Sequence, residues 1–152
     1  NKKIDPNNYI EPDELVNLIE VFWKAKDRFI DGYVQKNPLN LTYRNLNIIK
    51  DFKYGMRKNF LLAVYEKNYT VLNDEGINYM VKGLNENLDK FIPAEKTPML
   101  IQTAIMPFNG MIIYDGFIST ADMQLSQELV SKAFEDYSYG QKIYSLLPKN
   151  MN

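Results

Sequence analysis

The residues best suited to chemistry fall in one short run, Pro107-Phe108-Asn109-Gly110-Met111-Ile112-Ile113-Tyr114-Asp115-Gly116. Tyr114 and Asp115 place a phenol and a carboxylate beside Gly116, whose bare backbone lets a ligand approach closely, so these three residues are expected to line a small polar recess. The run also has a purely architectural explanation. Asn109-Gly110 suits a two-residue hairpin turn that needs positive φ at both positions, and Asp115-Gly116 suits a bulge or second turn that bends the strand. A second group lies between positions 43 and 60, where Arg44, Lys50, Lys53, Arg57 and Lys58 face only Asp51 in acidic charge and alternate with Tyr43, Phe52 and Tyr54. Cations that track phosphates and rings that stack on bases are what a single-stranded nucleic acid site requires. The competing explanation is a solvated helix face whose rings belong to the core. The net charge of -1 gives the chain no general field for polyanions, so binding would rest on this patch alone.

What is missing narrows the chemistry further. The 152 residues include no cysteine and no histidine. Thiol nucleophiles, thiolate metal sites, disulfides and the commonest general base are therefore excluded, and the lack of cysteine fits a reducing compartment such as the cytoplasm. The acidic pairs Asp13-Glu14, Asp74-Glu75 and Glu135-Asp136 are adjacent in sequence, whereas carboxylate catalysis needs two groups converging across a cleft. The five serines sit in no nucleophile elbow, and no glycine-rich phosphate loop is present. No metal and no cofactor is expected, and an enzymatic reading contracts to a site around Asp115.

The elements that must position these residues follow from periodicity. Pro12, Asp13 and Glu14 open a helix after a leader over 1–11, and Leu15, Ile19, Phe22, Phe29 and Tyr33 continue its stripe, widened by Val16, Trp23, Ile30 and Val34, until Asn37-Pro38 stops it. Thr42 is a cap for a second helix carrying Leu46, Ile49 and Phe52, ended by Gly55. The period then changes to two. Strands are expected over 60–66, 69–73 and 77–82 as a meander, with Asn73-Asp74-Glu75-Gly76 making a type I turn and one side of the third strand wet. Asn85 caps a short helix with Leu88, Phe91 and Ile92 before Pro93. Strands over 99–108 and 111–118 form the hairpin. Ser119, Thr120 and Asp122 offer caps for a helix bearing Leu125, Leu129, Val130, Ala133, Phe134 and Tyr137, Gly140 ends it, and a helical turn over 141–147 follows. Length and composition bound this to one α+β domain over 1–152, with an antiparallel sheet of about five strands and the N- and C-terminal helices mainly on one face. The start at Asn1-Lys2 raises the expectation of a fragment of a longer protein. No apolar run reaches the roughly 20 residues of a membrane span.

The run 107–116, taken with Tyr79-Met80-Val81-Lys82-Gly83-Leu84, resembles paired segments of uncharacterised bacterial proteins, some of which carry a SEC-C zinc-knuckle motif. The resemblance covers about 60–118 and implies a non-catalytic bacterial domain. Its zinc knuckle has no counterpart here, because that site is built from cysteines. The eleven tyrosines and eight phenylalanines exceed what one core of this size can bury, and Tyr137, Tyr139 and Tyr144 cluster where an interface would use amphipathic rings. The sequence therefore points to a non-enzymatic binding or interaction domain whose partner is a protein, either itself or another. The nucleic-acid module and the Asp115-centred enzyme are the alternatives.

Overall fold

The computed structural model describes residues 11–120 and 124–149 and has an α+β architecture. The first expected helix is two: α1 (Pro12–Lys24) and α2 (Lys26–Lys36), separated at Ala25, whose backbone (φ -127°, ψ 30°) leaves the helical region. The break lets Lys26 turn inward and donate to the Lys53 carbonyl at 2.5 Å. Asn37 ends α2 in the left-handed region, where its amide oxygen accepts from the Leu41 N–H at 2.7 Å. Helix α3 (Tyr43–Asp51) is capped by Thr42 as its sequence requires, and a 3-10 turn over Phe52–Tyr54 delivers the chain to Gly55.

Seven strands follow among the described residues, and they form a mixed sheet, which corrects the expected five-stranded antiparallel one. They are β1 (Met56–Tyr65), β2 (Thr70–Asp74), β3 (Ile77–Lys82), β4 (Met99–Phe108), β5 (Met111–Tyr114), β6 (Ser119–Thr120) and β7 (Gln141–Ile143). β1 pairs with β2 through its last residues and with β4 through its first, antiparallel in both cases. β2 pairs with β3, and β4 with β5. The ring closes where β3 and β5 run parallel at Val81–Ile112 and Lys82–Ile113. These five strands make a barrel in the order β1-β2-β3-β5-β4, with β1 bulged between Leu62 and Val64 where it passes from one partner to the other.

Phe60, Leu62, Leu72, Tyr79, Val81, Ile101, Ile105 and Ile112 fill the interior, at roughly 1.5–3 kcal/mol of hydrophobic stabilisation per large side chain. The connection between β3 and β4 closes one end with Leu88 and Ile92. This connection is a 3-10 turn over Leu88–Lys90 preceded by Asn87, not the α-helix expected from Asn85. Gly83 makes it possible: a Cβ there would overlap the Glu86 carbonyl, while its N–H donates to Asn87 Oδ1 at 3.2 Å. The β2–β3 turn also departs from expectation. Glu75 (φ 49°) and Gly76 (φ 84°) are both left-handed, the two-residue turn of a tight hairpin, as are Asn109 (φ 48°) and Gly110 (φ 75°) between β4 and β5.

The helices do not share one face. α3 and the following turn lie against β4, whereas α4 (Gln127–Tyr139), capped by Ser126, crosses β1, β2 and β3. The cap is Ser126 rather than Ser119 and Thr120, which are β6; Asp122 lies outside the described residues. Beneath α4 sits a second apolar cluster of Ala63, Val71 and Met80 with Tyr137 against it. The side of β3 expected to be wet is thus buried, Asn78 and Met80 included. Asn78 binds α4 directly, its amide nitrogen donating to the Asp136 carbonyl at 3.0 Å, while Asn73 donates to its oxygen at 2.9 Å. The segment expected to be a last helical turn is instead β7, running parallel to β3 from Ile77 to Tyr79.

Candidate functional site

Two cavities flank one residue, Asp115, which lines both. The strand expected over 111–118 stops at Tyr114, because Asp115 folds its side chain onto its own backbone: Oδ1 accepts from the Phe117 N–H at 3.0 Å and Gly116 takes φ 86°. The Asp115 N–H still donates to the Ala104 carbonyl at 3.1 Å, so the turn stays pinned to β4. Burial pushes the Asp115 carboxyl above its ordinary range, and the hydrogen bond from Phe117 and the Arg57 charge pull it back.

The first cavity, about 660 Å³, is lined by Tyr114, Asp115 and Gly116 together with Leu84, Asn85, Glu86, Phe91 and Ile118. The three residues singled out from sequence therefore meet in one recess at the end of the barrel. Its walls are more apolar than expected, since Phe91 and Leu84 are exposed there. The Tyr114 hydroxyl donates to the Glu86 carbonyl at 2.7 Å, and desolvation raises its pKa, with Glu86 and Asp89 adding to the rise. The segments 79–84 and 107–116 lie side by side here, through the parallel β3–β5 pairing.

The second cavity, about 440 Å³, was not anticipated. It runs between α1 and the barrel and is lined by Leu15, Leu18, Ile19, Val21, Phe22, Trp23, Phe29, Met106 and Phe117 besides Asp115. No residue of α1 is fully buried. Leu18 is 40% exposed and Val21 54% on one flank, with Val16 exposed at the opposite edge, so a helix apolar around more than half its circumference leaves apolar side chains uncovered beyond its barrel-facing side. The breadth of the stripe was readable in the sequence; which side of it the barrel would leave bare was not.

The basic group is dispersed by the fold. Arg44 and Lys50 lie on α3, exposed, with Lys50 5.9 Å from the Tyr43 ring. Lys53 is paired with Asp31, and Lys58 with Asp74 at 2.6 Å, which raises the Lys58 pKa. Arg57 points outward from β1 under α1, 8% exposed, with Nε donating to Glu20 at 3.3 Å and a nitrogen of its guanidinium 3.4 Å from the Phe117 carbonyl. It fastens α1 to the turn at Asp115. The outer face of β2 and β3 is not open either: α4 lies on it, over apolar Val71 and Met80.

Among the described residues no group of three or more Asp or Glu side chains is arranged to hold a metal ion, and no helix is long and apolar enough to cross a membrane. Compared with models of protein families, with curated proteins and with solved structures, the chain matches none of them.

Proposed function

We propose that this chain is a non-enzymatic protein-interaction domain of the bacterial cytoplasm, and that it docks its partner on the uncovered flank of α1 and the groove beside it. One observation carries the reading: the groove is lined by nine apolar side chains and one carboxylate, on a helix whose Leu18 and Val21 are exposed. Exposed apolar surface of this kind costs solubility unless a partner covers it. The absence of cysteine supports the reducing compartment. Asp115 supports binding rather than catalysis, because its Oδ1 is held by its own turn and, among the described residues, no second carboxylate lines either cavity except Glu86.

The test uses the Leu18→Glu/Val21→Glu double variant, which changes two exposed positions and leaves the barrel core intact. Tagged wild-type and variant chains are recovered from the source cells and the retained proteins quantified. Proteins held by the wild type fall to background with the variant. Equal retention by both, with matching circular dichroism, refutes the assignment of α1 as the docking surface.

A further inference from the structure

We infer that the recess at the end of the barrel is a binding site for an organic cation, an amine or guanidinium carried on an aromatic or aliphatic body. The inference goes beyond the docking reading and does not depend on it.

The recess offers hydrogen-bond acceptors without a matching cation. Asp115 and Glu86 both line it, and among the described residues no Lys or Arg does. The Tyr114 hydroxyl spends its hydrogen on the Glu86 carbonyl at 2.7 Å, so toward a ligand its oxygen can only accept. Glu86 is exposed and forms no ion pair among the described residues. Asp115 is partly buried, and what surrounds it does not fully offset that burial: Phe117 donates to Oδ1 at 3.0 Å, while the Thr103 hydroxyl donates to the Phe117 carbonyl at 3.1 Å. Arg57 acts on Asp115 but already engages Glu20 at 3.3 Å. Burial still outweighs these contributions and keeps the Asp115 carboxyl above its ordinary pKa, so a further cation stabilises its ionised form.

The rest of the lining asks for a hydrocarbon body. Leu84 and Phe91 are large apolar side chains exposed at this recess, and Ile118 joins them. An exposed ring beside carboxylates attracts a cation through its π-system. Two carboxylates among hydrocarbon suit an organic cation and not a bare metal ion, for which no group of three acidic side chains exists among the described residues. The volume, about 660 Å³, lies within the roughly 300–1,000 Å³ of small-molecule sites. Such a cation comes either as a free amine or as the Lys or Arg side chain of a peptide.

The probe is phenethylamine, with phenethyl alcohol as its neutral and phenylacetate as its anionic counterpart, titrated near neutral pH into the full isotope-labelled chain and followed by amide NMR shifts. Amides of 84–86, 91 and 114–116 are expected to shift and saturate, with a dissociation constant on the order of 1 mM. The alcohol is expected to bind about tenfold more weakly and the carboxylate to leave these amides unmoved. Asp115→Asn, which keeps an oxygen for the Phe117 N–H, is expected to weaken amine binding about tenfold, and Glu86→Gln and Phe91→Ala about threefold each. Glu86→Gln changes an exposed side chain, so it reports on charge even if Asp115→Asn disturbs the turn. The blocked dipeptide acetyl-Phe-Arg-amide distinguishes the sources: tighter binding than phenethylamine at the same amides assigns a peptide side chain, weaker binding a free amine, and both support the cation site. An alcohol that binds as tightly as the amine overturns the inference, as does the absence of any saturating shift by about 20 mM amine. Loss of binding in Asp115→Asn with Glu86→Gln and Phe91→Ala unchanged also overturns it, because Asp115 lines the groove beside α1 as well and the other two residues do not.

Discussion

Replacing Asn78 by alanine tests how α4 is held on the barrel. Asn78 is fully buried on β3 and is the only polar side chain there that bonds both a strand neighbour and the helix: it accepts from Asn73 Nδ2 at 2.9 Å and donates to the Asp136 carbonyl at 3.0 Å. Its approach to the Tyr137 carbonyl, at 3.4 Å, is too long to add much. Truncation removes two hydrogen bonds, each contributing about 0.5–1.5 kcal/mol net, and leaves the buried Asn73 amide without its acceptor, a desolvation cost of about 1–3 kcal/mol. Part of these terms describes the same lost bond, so the expected destabilisation is about 2–4 kcal/mol. With a urea slope of roughly 1–3 kcal/mol/M, the midpoint falls by about 1–2 M. Hydrogen exchange adds location. Amides of α4 and β7 exchange faster in Asn78→Ala by a larger factor than those of β1 and β4, because the helix loses its anchor while the ring closure at β1–β4 is untouched. A loss below about 1 kcal/mol, or uniform acceleration across the barrel, refutes the anchor.

Other perturbations follow from the same geometry. Gly83→Ala drives a Cβ into the Glu86 carbonyl and should destabilise by about 2–4 kcal/mol by calorimetry, while Gly32→Ala, with open space around it in α2, should be neutral or stabilising by up to about 1 kcal/mol. The Glu66 carboxylate is held below its ordinary pKa by the Tyr137 hydroxyl at 2.6 Å and then by Lys142 at 2.9 Å, so its contribution is present above pH 4.5 and lost as the pH falls; Glu66→Gln and Tyr137→Phe should each flatten the acid limb of a melting-temperature profile. Asp115 has the opposite sign. Burial raises its pKa above 3.8, so its ionisation costs stability as the pH rises from 3.8 toward the folded value, and Asp115→Asn, which keeps an oxygen for the Phe117 N–H, should gain stability relative to the wild type over that rise.

The features legible in the sequence were those encoded within a few residues. Asn109-Gly110 made its hairpin, Thr42 capped its helix, and β3 and β4 occupy the spans that their alternation indicated. Barrel closure was not legible, because it depends on Met56 meeting Ile105 and Val81 meeting Ile112, pairs for which no short-range signal exists. The same cause displaced the start of β1. Arg57, Lys58 and Asn59 read as helix or loop until β4 supplies backbone partners and Glu20 and Asp74 supply the charges. β7 is three residues long and acquires its strand conformation from β3 alone. In the candidate site, Tyr114, Asp115 and Gly116 meet because they are contiguous, whereas Leu84, Glu86 and Phe91 join them only through the fold.

The two terminal helical regions differ in what they do with apolar surface, and this difference bears on function. α4 buries Ala133 and lays Tyr137 on Ala63, Val71 and Met80, and its position is fixed three times over, by Asn78, by the Glu66–Tyr137 hydrogen bond and by the β7 pairing that follows it. Among the described residues α1 has one polar fastening, Glu20 to Arg57, and no fully buried residue. A helix attached along one side only, with Leu18 and Val21 left outside, gains stability from any apolar partner that covers it. A partner that also fills the groove beside this flank covers Asp115 and Phe117, which line it, and holds the Asp115 turn more firmly. Occupation of the α1 flank is therefore expected to lower amide exchange at 115–117 as well as along α1 itself, while α4, on the other side of the barrel wall, remains unchanged. Protection confined to α1, with residues 115–117 exchanging as before, would show that the partner does not enter the groove beside it.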